Sequence, residues 1–113
     1  MSRPGDEALS GASDFEDVLP AHLDMLESGA RRIDVREPEE FDGPLGHLPG
    51  AELVPLGLLE AASASWPREG PLLLICRSGK RSVTAARLLA RRGFRRLYNL
   101  QGGMLAVRGA SAS

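Results

Sequence analysis

Apolar positions along this chain fall in short runs that switch repeatedly between strand-like blocks and helix-like spacing. Residues 15–19 read as a short edge strand closed by Pro20, a residue suited to the first turn of a helix reaching about Ser28. Leu23 and Leu26 give that helix its buried side, and Gly29 ends it. A β-rich strand follows at 32–36, then one helical turn over 37–40. Glycines and prolines between Asp42 and Gly50 make a constrained loop, which leads to a brief strand at 52–54. Leu56, Leu59 and Ala62 or Ser63 carry helical spacing to about Ser65, and Pro67, Gly70 and Pro71 break the chain. The uninterrupted apolar block 72–75 is a strand that ends at Cys76. From 82 to 92 the spacing predicts the best-defined helix, with Val83, Ala86, Leu89 and Ala90 inward, Arg87 and Arg91 outward, and Gly93 at the stop. Residues 97–100 form the last strand, and a short helical turn covers 104–108.

Alternating strands and helices with short connections predict an α/β fold: a mostly parallel sheet with helices on both faces. Ligands in such a fold sit at the carboxyl ends of the strands, which is where Cys76 falls. With 113 residues, 42% of them hydrophobic, the chain supports one domain over 15–108. The polar, Gly/Ser-rich stretch 1–14 and residues 109–113 read as flexible tails. No internal repeat is apparent.

Charge narrows the classes of partner. The 14 basic and 15 acidic residues nearly cancel, so nothing general draws the chain to nucleic acid or to an anionic membrane. One cysteine cannot build a disulfide framework, and with two histidines it has no zinc-site spacing, so no metal is expected. A free thiol suits a reducing, cytoplasmic compartment. The N-terminal stretch lacks the apolar centre of a secretory signal, and no apolar run is long enough to cross a membrane.

Cys76 is the candidate nucleophile. It is followed by Arg77, Ser78, Gly79, Lys80 and Arg81, so three cations lie within five residues of the sulfur. A helix starting at about Arg81 or Ser82 also aims its free N–H groups back at this loop. Both effects favour thiolate over thiol.

Four segments, in order, resemble the single-domain rhodaneses, the thiosulfate sulfurtransferases and their relatives. They are Asp34-Val35-Arg36-Glu37 with Glu40-Phe41; Gly46-His47-Leu48-Pro49-Gly50-Ala51; Cys76-Arg77-Ser78-Gly79-Lys80-Arg81-Ser82; and Asn99-Leu100-Gln101-Gly102-Gly103. The resemblance implies a five-stranded sheet and a Cys76 that takes a sulfane sulfur from a small donor, holds it as a persulfide, and passes it to cyanide, a thiol, a dithiol or a protein acceptor. It implies no cofactor beyond that transient persulfide. The amides from Arg77 to Ser82 would form a nest around the sulfur, with Gly79 supplying the curvature. Arg77 and Lys80 are assigned to the charge of the donor, Ser78 and Ser82 to added hydrogen bonds, and Asp34 and Arg36 to bracing the loop. Arg81 either binds donor or points toward Asp34 and Arg36 to hold the loop in shape.

Other readings compete with turnover. The same loop suits a persulfide carrier or a sulfide-sensing module, and a cysteine phosphatase or arsenate reductase is a further alternative. Four residues separate Cys76 from Arg81, one fewer than in phosphatases of similar fold, and no general acid stands out. Two departures from the family pattern are expected to matter. Asp42-Gly43-Pro44-Leu45 makes a longer loop before Gly46, and Val107 stands where many relatives carry tryptophan. His47 reads as a hydrogen-bonding histidine, Trp66, Phe94 and Tyr98 as packing, and the arginines at 87, 91, 92, 95 and 96 as a solvated basic face.

Overall fold

The computed structural model describes residues 14–27 and 29–112; the stretch 1–13 read above as a tail, together with Ser28 and Ser113, lies outside the described residues. Five strands form one sheet: β1 (Glu16–Val18), β2 (Arg31–Asp34), β3 (Glu52–Leu53), β4 (Leu72–Ile75) and β5 (Leu97–Leu100). Their order is β1-β5-β4-β2-β3, and every neighbouring pair is parallel. Four helices connect or flank them: α1 (Pro38–Phe41), α2 (Leu56–Ser63), α3 (Lys80–Arg91) and α4 (Gly103–Ala112).

Central β4 is buried along its length, as expected of a strand covered on both faces. Its side chains alternate between two cores. Leu72 and Leu74 pack with Leu59 of α2 and with Ala85, Ala86 and Leu89 of α3, while Leu73 and Ile75 pack with Leu48, Leu100 and Met104 of α4. Cys76 continues the even-numbered set, so the strand's two-residue period delivers its side chain to the α3 side.

Several boundaries differ from the sequence reading. Residues Pro20–Met25 form a 3-10 helix instead of an α-helix reaching Ser28. Leu23 and Leu26, three apart, match the three-residue repeat of that tighter helix, and both lie against the α4-side core. Strand β2 stops at Asp34, not Arg36, because the Arg36 N–H turns back to donate to Asp34 Oδ1 at 3.2 Å. Helix α2 closes at Ser63. The buried positions of α3 are Ser82, Ala85, Ala86 and Leu89; Val83 and Ala90 of the expected stripe are only half-buried. The helix begins at Lys80, and Ser82 faces inward with Ala85, Ala86 and Leu89. Helix α4 runs on to Ala112, past the tail boundary expected after Arg108.

Candidate active site at the end of β4

The loop from Cys76 to Gly79 joins the carboxyl end of β4 to the first turn of α3, a turn made by Gly79 at φ 101°. A β-carbon at Gly79 would stand 3.2 Å from the Gly102 nitrogen, so both the left-handed backbone and the close neighbour require glycine. On the other side the start of α4 presses against the loop. The Met104 N–H donates to the Cys76 carbonyl at 2.9 Å, and the Leu105 N–H donates to the Arg77 carbonyl at 2.9 Å. Gly103, at φ +62°, lets this happen: a β-carbon there would lie 2.4 Å from the Arg77 carbonyl oxygen.

Cys76 is 1% exposed, yet its sulfur is not surrounded by hydrocarbon alone. The Gly79 N–H donates to Sγ at 3.0 Å, and Ser82 Oγ lies 3.3 Å from the same sulfur. Among the expected nest of amides, this one contributes a hydrogen bond to the sulfur. The Ser82 hydroxyl, expected to face substrate, is buried and engaged by protein groups, the Asn99 side-chain carbonyl and the Gly79 carbonyl.

The three loop cations separate into two kinds. Arg81 donates through both guanidinium nitrogens to Glu40, at 2.7 Å each. That pairing holds the Glu40 carboxyl down at about 2, with desolvation opposing it. It also raises Arg81, whose charge is further favoured by Cys76. Arg81 therefore takes the bracing role, with Glu40 as its partner instead of Asp34. Arg77 and Lys80 are exposed and form no ion pair among the described residues. They line different hollows. Arg77 borders one of about 280 Å³ with Arg36, Glu40, Pro44 and Leu45; Lys80 and Ser78 border another of about 430 Å³ with Arg87 and Gln101. The first brings the longer 42–45 loop to the site, as its Pro44 and Leu45 form one wall.

Asp34 and Arg36 are buried together at the end of β2, with two side-chain hydrogen bonds of 2.8 Å between them. Arg36 also donates to the Glu40 carbonyl at 3.1 Å and to the Gly46 carbonyl at 2.7 Å. The pair thus holds the backbone of α1 and the following loop, and α1 holds Arg81. Its grip on the cysteine loop is indirect. The roles of Glu40 and Asn99 were missed in the sequence, although both belong to the four family-like segments; a carboxylate within one helical turn of Arg36 was the available signal for the first.

Residues outside this cluster are occupied elsewhere. His47 stacks on Phe41 at 3.7 Å and hydrogen-bonds its carbonyl at 3.0 Å, a loop-fixing arrangement. Trp66 and Phe94 meet edge to face, and Arg31 and Arg68 lie over their respective rings. Tyr98 donates to Glu27 at 2.5 Å, which pushes the phenol up to about 12. In the basic run, Arg92 pairs with Glu60 and Arg96 with Glu27. No group of side chains that could hold a metal ion occurs among the described residues, and none of their helices is long and apolar enough to cross a membrane.

Comparison with known proteins places this arrangement. Residues 19–110 match the rhodanese-like domain family. The putative sulfur carrier protein YrkF of Bacillus subtilis is 31% identical over 107 residues, covering 92% of this chain and 57% of YrkF. The match to YqhL from that organism likewise covers 57% of that protein, so the chain spans little more than half of either relative. The thiosulfate sulfurtransferase GlpE of Pseudomonas aeruginosa is 30% identical over 90 residues, covering 79% of this chain and 80% of GlpE. A crystal structure of a rhodanese-like domain protein from Staphylococcus aureus, 27% identical, superposes with a TM-score of 0.71 over 82% of this chain and 91% of that one. With its parallel five-stranded sheet and the cysteine loop between β4 and α3, this chain belongs to the rhodanese-like domain family of sulfurtransferases and sulfur carriers.

Proposed function

We propose that this protein moves a sulfane sulfur from thiosulfate or a similar small donor, through a persulfide on Cys76, to a nucleophilic acceptor. The observation that carries the reading is the sulfur's setting. It stands at the carboxyl end of the central strand, accepts the Gly79 N–H at 3.0 Å, and has two uncommitted cations, Arg77 and Lys80, in the same loop. The thiolate attacks the outer sulfur of thiosulfate; the donor's S–S bond breaks with its electron pair, and sulfite departs. The acceptor then attacks the outer persulfide sulfur, and the Cys76 thiolate is the leaving group. Cyanide would leave as thiocyanate and a thiol as a persulfide, so each cycle balances without an added oxidant or reductant. Uncommitted cations suit the dianionic donor and the departing sulfite. The required thiol is compatible with a reducing cytoplasm.

Thiosulfate with cyanide tests this reading: thiocyanate is expected over many turnovers, and none from Cys76→Ser. A stoichiometric gain of sulfur without turnover would favour the carrier reading, which the likeness to YrkF supports. Phosphatase chemistry fits less well, since Glu40, the carboxylate nearest the loop's cations, is committed to Arg81 and placed to hold structure instead of protonating a leaving group.

A further inference from the structure

The Ser82 hydroxyl has one proton and three acceptors around it: Asn99 Oδ1, the Gly79 carbonyl at 3.1 Å and Cys76 Sγ at 3.3 Å. Asn99 is not free to choose its orientation. Its Nδ2 donates to Asp17 Oδ1 at 2.9 Å, and an ionised carboxylate can only accept, so the amide must turn its carbonyl toward Ser82. Asn99 is buried at 3% exposure, and a buried carbonyl deprived of its donor is costly. Asn99 therefore claims the serine proton in competition with the sulfur.

We infer that Asp17, acting through Asn99, is a positioning residue that keeps the Ser82 proton off the Cys76 sulfur and leaves the Gly79 N–H as its donor in this cluster. This rests on the proposed role of Cys76 as nucleophile. Its value lies in the difference between two states of the site. In the empty site the negative charge is on Sγ; after loading it is on the outer sulfur, and Sγ is a neutral divalent atom. A second donor on Sγ would stabilise only the empty state. Withholding it keeps the thiolate nucleophilic and favours loading.

The other charges around the sulfur are arranged separately. Arg77, Lys80 and Arg81 come from the loop and α3, Glu40 of α1 pairs with Arg81, and Asp34 with Arg36 closes the end of β2. Glu60 of α2 is turned to Arg92, and the first turn of α4 brings no charge. Asp17 is exposed on β1 and belongs to none of these pairs, so it can be changed while they stay in place.

In Asp17→Ala the Asn99 amide is free to rotate and give its NH2 to Ser82 Oγ, and the serine proton passes to the charged sulfur in preference to the neutral Gly79 carbonyl. The test is the pH profile of iodoacetamide alkylation at Cys76 in the full chain, with sulfur gain from thiosulfate followed in parallel by intact mass. For Asp17→Ala the midpoint should fall by about one pH unit and the high-pH plateau rate by about threefold, since a better-stabilised thiolate is a weaker nucleophile. Asp17→Asn, whose side-chain carbonyl still accepts from Asn99, should restore both. An unchanged profile in Asp17→Ala overturns the inference, as does an Asp17→Asn profile matching Asp17→Ala, which would trace the effect to lost charge instead of amide orientation. Wild-type protein that alkylates at Cys76 but gains no sulfur would refute the transfer reading alone, and the profiles would still decide the role of Asp17.

Discussion

Single residues at this site are constrained by geometry more than by polarity. Gly103 must adopt φ +62° with the Arg77 carbonyl oxygen 2.4 Å from where a β-carbon would be. Gly103→Ala is expected to cost about 3 kcal/mol or more, the sum of left-handed strain and displaced backbone, measured as a lower urea midpoint at unchanged slope. Charge behaves differently. Lys80 is exposed and has no ion-pair partner among the described residues, so Lys80→Ala should leave the thermal midpoint unchanged while raising the thiosulfate KM by roughly three- to tenfold, more at low salt than at high. Equal kinetics in the two proteins would remove Lys80 from donor binding. At this scale the sequence was legible where chemistry is local: a cysteine followed by cations and a glycine is visible in a string of letters. It misplaced Ser82, assigned to the donor but buried against Asn99 and the Gly79 carbonyl, since which way a hydroxyl faces depends on packing that the string does not show.

Between elements, the clasp from α1 to α3 holds the loop in place. Glu40 caps its own helix by accepting the Glu37 N–H at 2.9 Å and takes both nitrogens of Arg81, which lies 41 residues away in sequence. Its carboxyl is depressed from 4.5 to about 2, so the stability it contributes is fully present above pH 4.5 and is lost as pH falls toward about 2. Chemical denaturation between pH 5 and pH 2.5 should show this decline in the wild type and a flatter profile in Glu40→Gln. An equally steep loss in both would place the acid sensitivity elsewhere. The link was not legible beforehand because it joins segments distant in the chain; the sequence left Arg81 either to the donor or to the sheet end, where Asp34 is already taken by Arg36. Helix α4 shows a related limit. Its apolar spacing supported only a short turn, but docking of its first turn on the cysteine loop's carbonyls supports a helix reaching Ala112.

The whole molecule follows from a pattern that sequence carries well. Strand and helix blocks in alternation specify parallel strands, and β4, with no polar residue over Leu72–Ile75, had to lie at the centre. What the pattern could not fix was the order β1-β5-β4-β2-β3, which places β1 next to β5 although they are at opposite ends of the described chain. That adjacency brings Asp17 to Asn99 and ties the edge of the sheet to the cysteine. The whole arrangement holds one sulfur between the loop amide and the α3 hydroxyl, and its proposed reactivity is tested most directly by intact mass spectrometry of the protein incubated with thiosulfate, before and after reduction. The account predicts a gain of one sulfur atom that a thiol reductant removes and that Cys76→Ser never acquires. An unchanged mass, or a sulfur retained by Cys76→Ser, would contradict it.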